Sequence, residues 1–441
     1  VPFLHSTSRR ARVQRPILLT LFTILVAFVT VAAFVAHALT DIREIKIAKT
    51  AGKAVSQSIP DVEAGRSLTF LLVGTDAREG KENLEIGGGD DESARADTTI
   101  VVKISADRKR IYMASMPRDA LVDIPECELS NGVVVPARRD AMFNTAFGFA
   151  WSNGDKSIAD GVACAAKTFH EVTGIHLDGV VVADFAGFAK VVNAIGGVNV
   201  CLAEPFKPHS VGDFQLPAGE SHLNGMEAIQ FVRARKGVGD GSDTQRQVRQ
   251  HYFLRNVWAR VEAQGILSNP LKTLELINSV QDMLQFSESI SSATTLGGLA
   301  YALRNLSMDD IISLRVPFEP EGNRVVLTSD AVKVWEQFMP TTLAEEEAAE
   351  LAKQQEQQHQ QPANTDSATP SEPAQETGSE SGQQTPKQPA QEEEEQPKSG
   401  SDSDASDDEV AKTPAAPSLP DGSKEHKEED NLGLLHCPQD H

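Results

Sequence analysis

The 441-residue chain has no strongly cationic segment in its body. It holds 63 Asp and Glu against 41 Lys and Arg, a formal charge of −22. Residues 341–441 carry 24 acidic residues and 6 lysines, a net of −18, which leaves about −4 for the rest. A nucleic-acid binder that works by neutralising phosphates needs a basic stripe, so that class is excluded. Aromatic residues are scarce at 5%, and residues 341–441 have none. That stretch is rich in Gln, Glu, Ser, Pro and Ala, with runs such as QQEQQHQQ and EEEE. It cannot bury enough apolar surface to offset its ordering entropy, so a disordered, self-repelling acidic tail is expected. Zinc-ligand spacing and a Ser-His-Asp set are also absent. The glycine-rich stretch Gly237–Gly241 lacks the G-K-[ST] ending of a Walker loop. His170 and His176 flank a helix end and read as ordinary surface residues.

One segment is incompatible with water. Ile17–Leu39 is a 23-residue run without formal charge, and its sole ionisable residue is His37. About 20 residues span the hydrocarbon core of a bilayer. Arg9, Arg10, Arg12 and Arg15 precede the run and no acid occurs before Asp41. Basic flanks stay on the cytoplasmic side, so the expected topology is a single-pass protein with an inside N-terminus and an outside body. A cleaved signal peptide is the alternative. Its apolar core would be shorter, and no clear small-x-small site precedes the charged Asp41–Lys49 run. Four cysteines suit an exported chain. Of the three full pairings, Cys127–Cys164 is favoured, and closing a loop of that length contributes about 4 kcal/mol in the chain-entropy description. Cys201 is then a buried thiol or the partner of Cys437.

The expected organisation is a basic segment (1–16), a transmembrane helix (17–39), a short helical stalk (40–59), one folded unit (60–340) and the tail (341–441). Within the unit, Leu68–Val73, Thr98–Ser105 and Ile111–Met116 read as strands with short connections, which favours antiparallel neighbours. Ser157–Val172 has a helical stripe stopped by Gly174. Val180–Ala183 is a strand, and Asp184 caps a helix carrying Phe185, Phe188, Val192 and Ile195. Val198–Leu202 is a strand after the Gly196–Gly197 break. Asn224–Phe231 is helical, and Ser242 or Asp243 caps a helix running to Ala263. The fold class is α/β, a layered domain with a central mixed, partly antiparallel sheet flanked by helices.

If the first three strands form an up-down-up meander, one edge collects the end of the first, the start of the second and the end of the third. FLLVGTDAR brings Asp76 and Arg78 there, ARADTT brings Arg95 and Asp97, and SMPRDA brings Arg118 and Asp119. Strand ends opening onto loops are where α/β sites form. Any single Asp/Arg pair reads as a surface salt bridge, but three sets on one edge point to a site. A second cluster follows in FVRARKGVGDGSDTQRQVRQ. Arg233 and Arg235 alternate, while Asp243, Arg246 and Gln250 share one face of a helix start, with Arg249 on a neighbouring row. Arginine forks match phosphate oxygens, and aspartates nested among them stay ionised and can hold Mg²⁺. Together they are equipment for phosphoryl transfer on a pyrophosphate diester.

TDAR, RADTT, MPRD, the FN-x-AF run Phe143–Phe147, GGVNVCL, LPAGESHLNGMEAIQFVRAR and GSDTQRQVRQ, in this order over about residues 68–260, closely resemble the LytR–CpsA–Psr family of cell-envelope proteins. The resemblance implies a membrane-anchored phosphotransferase of a Gram-positive-type envelope. It would move a glycopolymer from a polyprenyl-pyrophosphate carrier onto peptidoglycan through a phosphodiester, with Mg²⁺ (or Mn²⁺). It implies Asp76 and Asp97 as metal ligands, and Arg95, Arg118, Arg233, Arg235, Asp243, Arg246 and Gln250 around the pyrophosphate. Asp97, Arg118, Asp119, Arg233 and Arg235 are the expected catalytic set, with Asp97 or Asp119 as the base. It also implies a polyprenyl tunnel between sheet and helices, with Phe188 and Val192 as candidate lining that reads more simply as core. The chain departs from the pattern in a long acidic insert, EGKENLEIGGGDDES, between Asp76 and Asp97. It also has one extra residue between the RxR pair and Asp243. The partners implied are the lipid-linked glycan, peptidoglycan and the membrane, with no nucleic acid. A pyrophosphatase using water as acceptor and a non-catalytic lipid-binding scaffold are the alternatives, and a transcription regulator conflicts with the exported topology and acidic body.

Overall fold

The computed structural model describes residues 42–59, 65–77, 80–87, 93–209, 214–235, 241–280 and 283–359. The expected transmembrane segment at 17–39 lies outside them, as does Arg78. Among the described residues no helix is long and apolar enough to cross a membrane. The folded body belongs to one compact unit. A second unit, Gln354–His426, contributes only the last turns of one helix to the described residues.

Seven strands form the central sheet: β1 (Glu44–Ile45), β2 (Leu68–Thr75), β3 (Ala96–Ile104), β4 (Ile111–Ser115), β5 (Gly179–Ala183), β6 (Leu284–Ser287) and β7 (Ile311–Leu314). Their order is β1-β6-β5-β2-β3-β4-β7. The pairs β2–β3, β3–β4 and β5–β6 are antiparallel, whereas β1–β6, β2–β5 and β4–β7 are parallel. The sheet is therefore mixed, as the short turns and helical crossovers of the sequence require. Alternation along the central strands sends Leu71, Val73 and Val101 to one face and Phe70, Ile100 and Ile104 to the other. Helices α1 (Thr145–Asn153) and α2 (Ile158–Thr173) cover the first face through Phe147 and Phe169, while Leu299 and Leu303 pack against the second. Each such fully buried large side chain contributes roughly 1.5–3 kcal/mol.

A third apolar cluster lies beside the sheet. Helices α3 (Phe185–Ala194), α4 (Gly225–Arg233) and α5 (Asp243–Ala263) enclose it with the hairpin Val198–Leu202/Gly219–Leu223. Phe188 packs on Phe253 at 5.6 Å between ring centres, and Val192 is fully buried in the same cluster. Val192 is thus a core residue, and Phe188 is partly buried against the same cluster. The helix starts follow their capping residues: Ser157, Asp184, Asn224 and Ser242 each accept a backbone N–H from the first turn. Gly174 ends α2 at φ 73°, the left-handed turn that glycine takes without strain. Gly225 lets α4 approach α3, because a Cβ there would run into the backbone of Ala189.

Two boundaries differ from the sequence reading. Within the expected stalk, residues 42–59 pack onto the folded unit: β1 joins the sheet, and Ile45, Ile47, Ala54 and Val55 are buried in the main core. The segment is too short and too polar overall for periodicity to reveal this, and only the tertiary contacts bury its few apolar residues. At the other end, the stretch expected to be disordered from Thr341 begins with a helix, Leu343–His359. Glu346 accepts the Ala106 N–H at 2.8 Å and the Thr341 hydroxyl at 2.6 Å, and Glu350 pairs with Arg110 at 3.3 Å. Local composition gives no hint that these acids meet partners from the β3–β4 turn. The Cys127–Cys164 disulfide is formed. Cys201 is disulfide-bonded as well, which removes the buried-thiol alternative. Cys437 lies outside the described residues.

Candidate active site

The meander is as the sequence predicts. Thr75 pairs with Ala96 and Ile100 with Ser115, so the end of β2, the start of β3 and the end of β4 share one edge. The Asp76 carboxylate accepts the Arg95 backbone N–H at 2.6 Å, which fixes the turn where the first two motifs meet. The Arg95 side chain is exposed, and among the described residues it makes no ion pair.

Arg118 stands at the centre. Its guanidinium donates to Asp97 at 2.8 Å and lies 3.4 Å from Asp243 and 3.6 Å from Asp119. Asp243 opens α5 and is a hub for three guanidiniums, those of Arg118, Arg235 (3.2 Å) and Arg246 (3.0 Å). Arg246 also donates to the Asp97 backbone carbonyl at 3.0 Å, and Gln250 donates to the Thr98 hydroxyl at 3.0 Å. The first turns of α5 are thereby stitched onto the start of β3, which is why residues about 150 positions apart form one pocket. Arg235 is the exposed member, with 38% of its side chain open, against 6% for Arg246.

The electrostatics follow from this alternation. Burial would lower the pKa of Arg118, but the charges of Asp97, Asp243 and Asp119 outweigh it and hold it above the ordinary arginine value. Arg246 goes the other way: its deep burial and the nearby Arg118 charge outweigh Asp243. Both remain cations at neutral pH. Arg118 Nε, Arg246 Nε and Asp243 Oδ1 are buried yet make no hydrogen bond, although ion-pair distances surround them. Buried polar atoms are normally satisfied. Asp243 Oδ1 nonetheless lies 3.0–3.4 Å from three guanidiniums, so the cluster is held by charge rather than by aligned hydrogen bonds.

The structure adds detail to three residues of these motifs. Arg233 stacks on the Phe185 ring, 4.1 Å from its centre, rather than joining the ion pairs around Asp243. Arg249 is a structural anchor. Its guanidinium donates to the carbonyls of Phe231 and Ala234, and burial together with the Arg246 charge pushes its pKa down to about 10. It holds the RxR segment against α5. Asp243, expected around the pyrophosphate, carries the wrong sign to meet a phosphate directly; its place is to gather and orient the arginines.

Sequence reasoning missed several supporting residues. His251 Nε2 meets the Ser115 hydroxyl at 2.8 Å, three residues before Arg118, and burial pushes the His251 pKa down to about 4. Part of the acidic insert forms the helix Gly80–Gly87. Its buried Asn83 donates to Asp184 at 3.0 Å and accepts the Ala186 N–H at 2.9 Å, gripping the start of α3 beside Phe185, on which Arg233 stacks. A polar residue capable of two opposed hydrogen bonds inside an insert was the available signal. Asn144 of the FN motif donates its backbone N–H to the Arg118 carbonyl at 3.0 Å.

Two carboxylates at adjacent strand ends, Asp76 and Asp97, form a hard oxygen pair. Mg²⁺ is characteristically held by one or two carboxylates, with waters and substrate phosphates completing its shell. Among the described residues no group of three or more His, Cys, Asp or Glu side chains forms a metal cage. Asp76 and Asp97 are the carboxylates that would contribute to such a shell.

The fold is thus a mixed α/β sheet whose edge carries an Asp/Arg lattice. The profile of the LytR_cpsA_psr family matches residues 29–353, most of the chain, and the protein belongs to that family. It is 27% identical over 276 residues to "Cell wall biosynthesis protein LcpA" of Corynebacterium glutamicum, covering 59% of this chain and 52% of that one. The chain thus spans about half the length of that relative. It is also 27% identical over 286 residues to "Polyisoprenyl-teichoic acid--peptidoglycan teichoic acid transferase TagT" of Bacillus subtilis, covering 64% and 78%. Among solved structures, B. subtilis TagV superposes with a TM-score of 0.46 at 22% identity, covering 62% of this chain and 94% of that one.

Proposed function

We propose that the protein is a membrane-anchored phosphotransferase that moves a glycopolymer from a polyprenyl-pyrophosphate carrier onto peptidoglycan. The observation that carries this reading is the convergence of the Arg118, Arg235 and Arg246 guanidiniums with Asp97, Asp119 and Asp243 at one edge of the sheet, with Arg235 open to solvent. Guanidinium forks match phosphate oxygens in shape and charge. The names of the relatives, one of them a teichoic acid–peptidoglycan transferase, point the same way.

In this reading an acceptor hydroxyl oxygen bonds to the glycan-side phosphorus. The bond from that phosphorus to the bridging oxygen breaks, and polyprenyl phosphate departs with the bridging oxygen. Arg118, Arg235 and Arg246 stabilise the charge that develops on the phosphoryl oxygens, and such electrostatic stabilisation lowers the barrier to these transfers more than any other effect. Arg233, stacked on Phe185, and the exposed Arg95 supply further cationic contacts at the rim. Asp97 and Asp76 would hold Mg²⁺ (or Mn²⁺), which supplies charge neutralisation at the pyrophosphate. Asp97 is also tied to Arg118 at 2.8 Å, whereas Asp119 is held only at 3.6 and 4.0 Å. Asp119 is therefore the carboxylate free to take the hydroxyl proton. The apolar run Ile17–Leu39 would anchor the N-terminus, with the body on the outer side of a Gram-positive-type envelope.

The test incubates the full chain in detergent with Mg²⁺ and a radiolabelled polyprenyl-pyrophosphate-linked saccharide, with and without peptidoglycan fragments. Label on peptidoglycan as a phosphodiester, lost in Asp97→Ala and Arg118→Ala, is the expected result. Release of label only as free sugar phosphate overturns the transferase in favour of a pyrophosphatase. Tight lipid binding without turnover, across several glycans, would leave a scaffold.

A further inference from the structure

A groove of about 600 Å³ begins two residues beyond Asp119. Its floor is the hairpin of Leu121–Ile124 and Arg138–Met142, and its far wall comes from Val326–Thr328 and the helix Ala331–Glu336. Backbone bonds link the groove's wall to the active-site rim. The Asp119 carbonyl accepts the Val325 N–H at 3.3 Å, and Ala120 bridges to Val325. The volume lies within the range of small-ligand sites.

The backbone under this groove departs from regular pairing. Val122 pairs with Ala141 and Ile124 with Arg138, so the single residue Asp123 faces both Arg139 and Asp140. Asp140 sits at φ 47°, a left-handed conformation that costs energy in a residue with a side chain. The Asp123 carboxylate steadies it by accepting the Asp140 N–H at 3.3 Å. Successive strand residues ordinarily point to opposite faces. The bulge breaks that alternation, and the adjacent Arg138 and Arg139 both line the groove. Bulges commonly re-aim side chains next to active sites.

The lining has two chemistries. Val332 is 56% exposed on one lip and Val326 is exposed beside it, whereas Trp335 is buried in the main core. Arg138, Arg139, Asp123 and Glu171 supply charge of both signs. Arg138 stacks on Phe149 with its guanidinium 3.6 Å from the ring centre, and among the described residues neither Arg139 nor Glu171 makes an ion pair. Arg118, Arg235 and Arg246 of the rim are paired with aspartates, whereas Arg139 of the groove makes no such pair among the described residues.

We propose that this groove is the acceptor subsite, and that it holds a peptidoglycan glycan strand whose peptide carboxylates meet Arg138 and Arg139. This rests on the transferase reading above. Sugar rings present apolar CH faces and hydroxyl edges, which suits exposed valines bordered by carboxylates and guanidiniums. Bound there, the strand ends at Asp119, where a hydroxyl reaches the phosphorus.

The test uses the full chain and a soluble muramyl-peptide saccharide of defined length as acceptor. Arg139→Glu and, on the opposite lip, Val332→Glu are compared with wild type for acceptor KM and donor KM. Both positions are exposed, so the fold is retained, and Arg139→Lys serves as a rescue. The expected result is an acceptor KM raised tenfold or more in both, a donor KM within twofold, and partial rescue by lysine. An acceptor KM within twofold of wild type in an active enzyme overturns the subsite and leaves the transferase intact. Loss of a dimer in Val332→Glu, with acceptor KM unchanged, would instead make this face an interface between copies. A wild type that transfers nothing removes the transferase reading itself, and the subsite with it.

Discussion

The active-site rim and the adjoining groove both combine aspartates with arginines, and they use them in opposite ways. At the rim, Asp97, Asp119 and Asp243 alternate with Arg118, Arg235 and Arg246 at 2.8–4.0 Å, and most of these side chains are largely buried. In the groove, Arg139 and Glu171 are open and make no ion pair among the described residues. A buried lattice of opposite charges holds its geometry before the ligand arrives, because breaking any pair leaves an uncompensated charge. Exposed charges are solvated and cheap to rearrange. The first arrangement suits a reaction in which charge builds on phosphorus, and the second suits an acceptor that must slide and be released.

The comparison breaks most sharply at Arg118. Arg118→Ala removes the partner shared by three carboxylates and is expected to lower transfer by about a thousandfold, the scale for losing a preorganised charge contact. A label-transfer assay reads this, and a loss under tenfold would move the centre of the site elsewhere. Next comes Asp243→Asn, which takes away the hub for three guanidiniums. A fall of about a hundredfold, largely recovered by Asp243→Glu, is expected if its work is to gather arginines, and no recovery would point to a direct chemical role.

Stability effects sharpen the contrast from the scaffold side. Cys164→Ser opens the Cys127–Cys164 loop of 37 residues, which leads into the groove hairpin, and is expected to cost about 4 kcal/mol in the chain-entropy description. Urea midpoints check this, and turnover per folded molecule should change little, since the rim is tied together by α5 instead. The smallest effect is that of pH. His251 has a folded pKa of about 4 against about 6.5 when unfolded, so the unfolded chain binds more protons between those values. Its contribution is complete above about pH 6.5 and is lost as pH falls through about 4, by up to about 3 kcal/mol. Urea titrations of wild type and His251→Gln should differ in slope over that window and run parallel above it. Equal slopes throughout would mean that His251 is not buried neutral beside Ser115.

Much of the rim was legible in the primary structure. Three Asp/Arg motifs at strand ends and two on a helix start need only strand polarity and helical spacing to converge, and the structure brings Asp97, Arg118, Asp119, Arg235, Asp243, Arg246 and Gln250 together. The stacking of Arg233 on Phe185 was not legible, because alternation in sequence says nothing about an aromatic neighbour about 48 residues away. Asn83 and His251 were missed because one buried hydrogen-bonding side chain has no periodic signature.

The sequence by itself determined the strands, the capped helices and the charge types at their ends, since these depend on side-chain period, capping chemistry and residue identity within a few positions. Only the tertiary structure decided that residues 42–55 complete the core, that Glu346 docks on the β3–β4 turn, and that a bulge at Asp140 turns two neighbouring arginines into one groove. Each of these depends on register or on a partner far along the chain. A one-residue shift in pairing changes which face a side chain occupies without changing any local preference that the sequence displays.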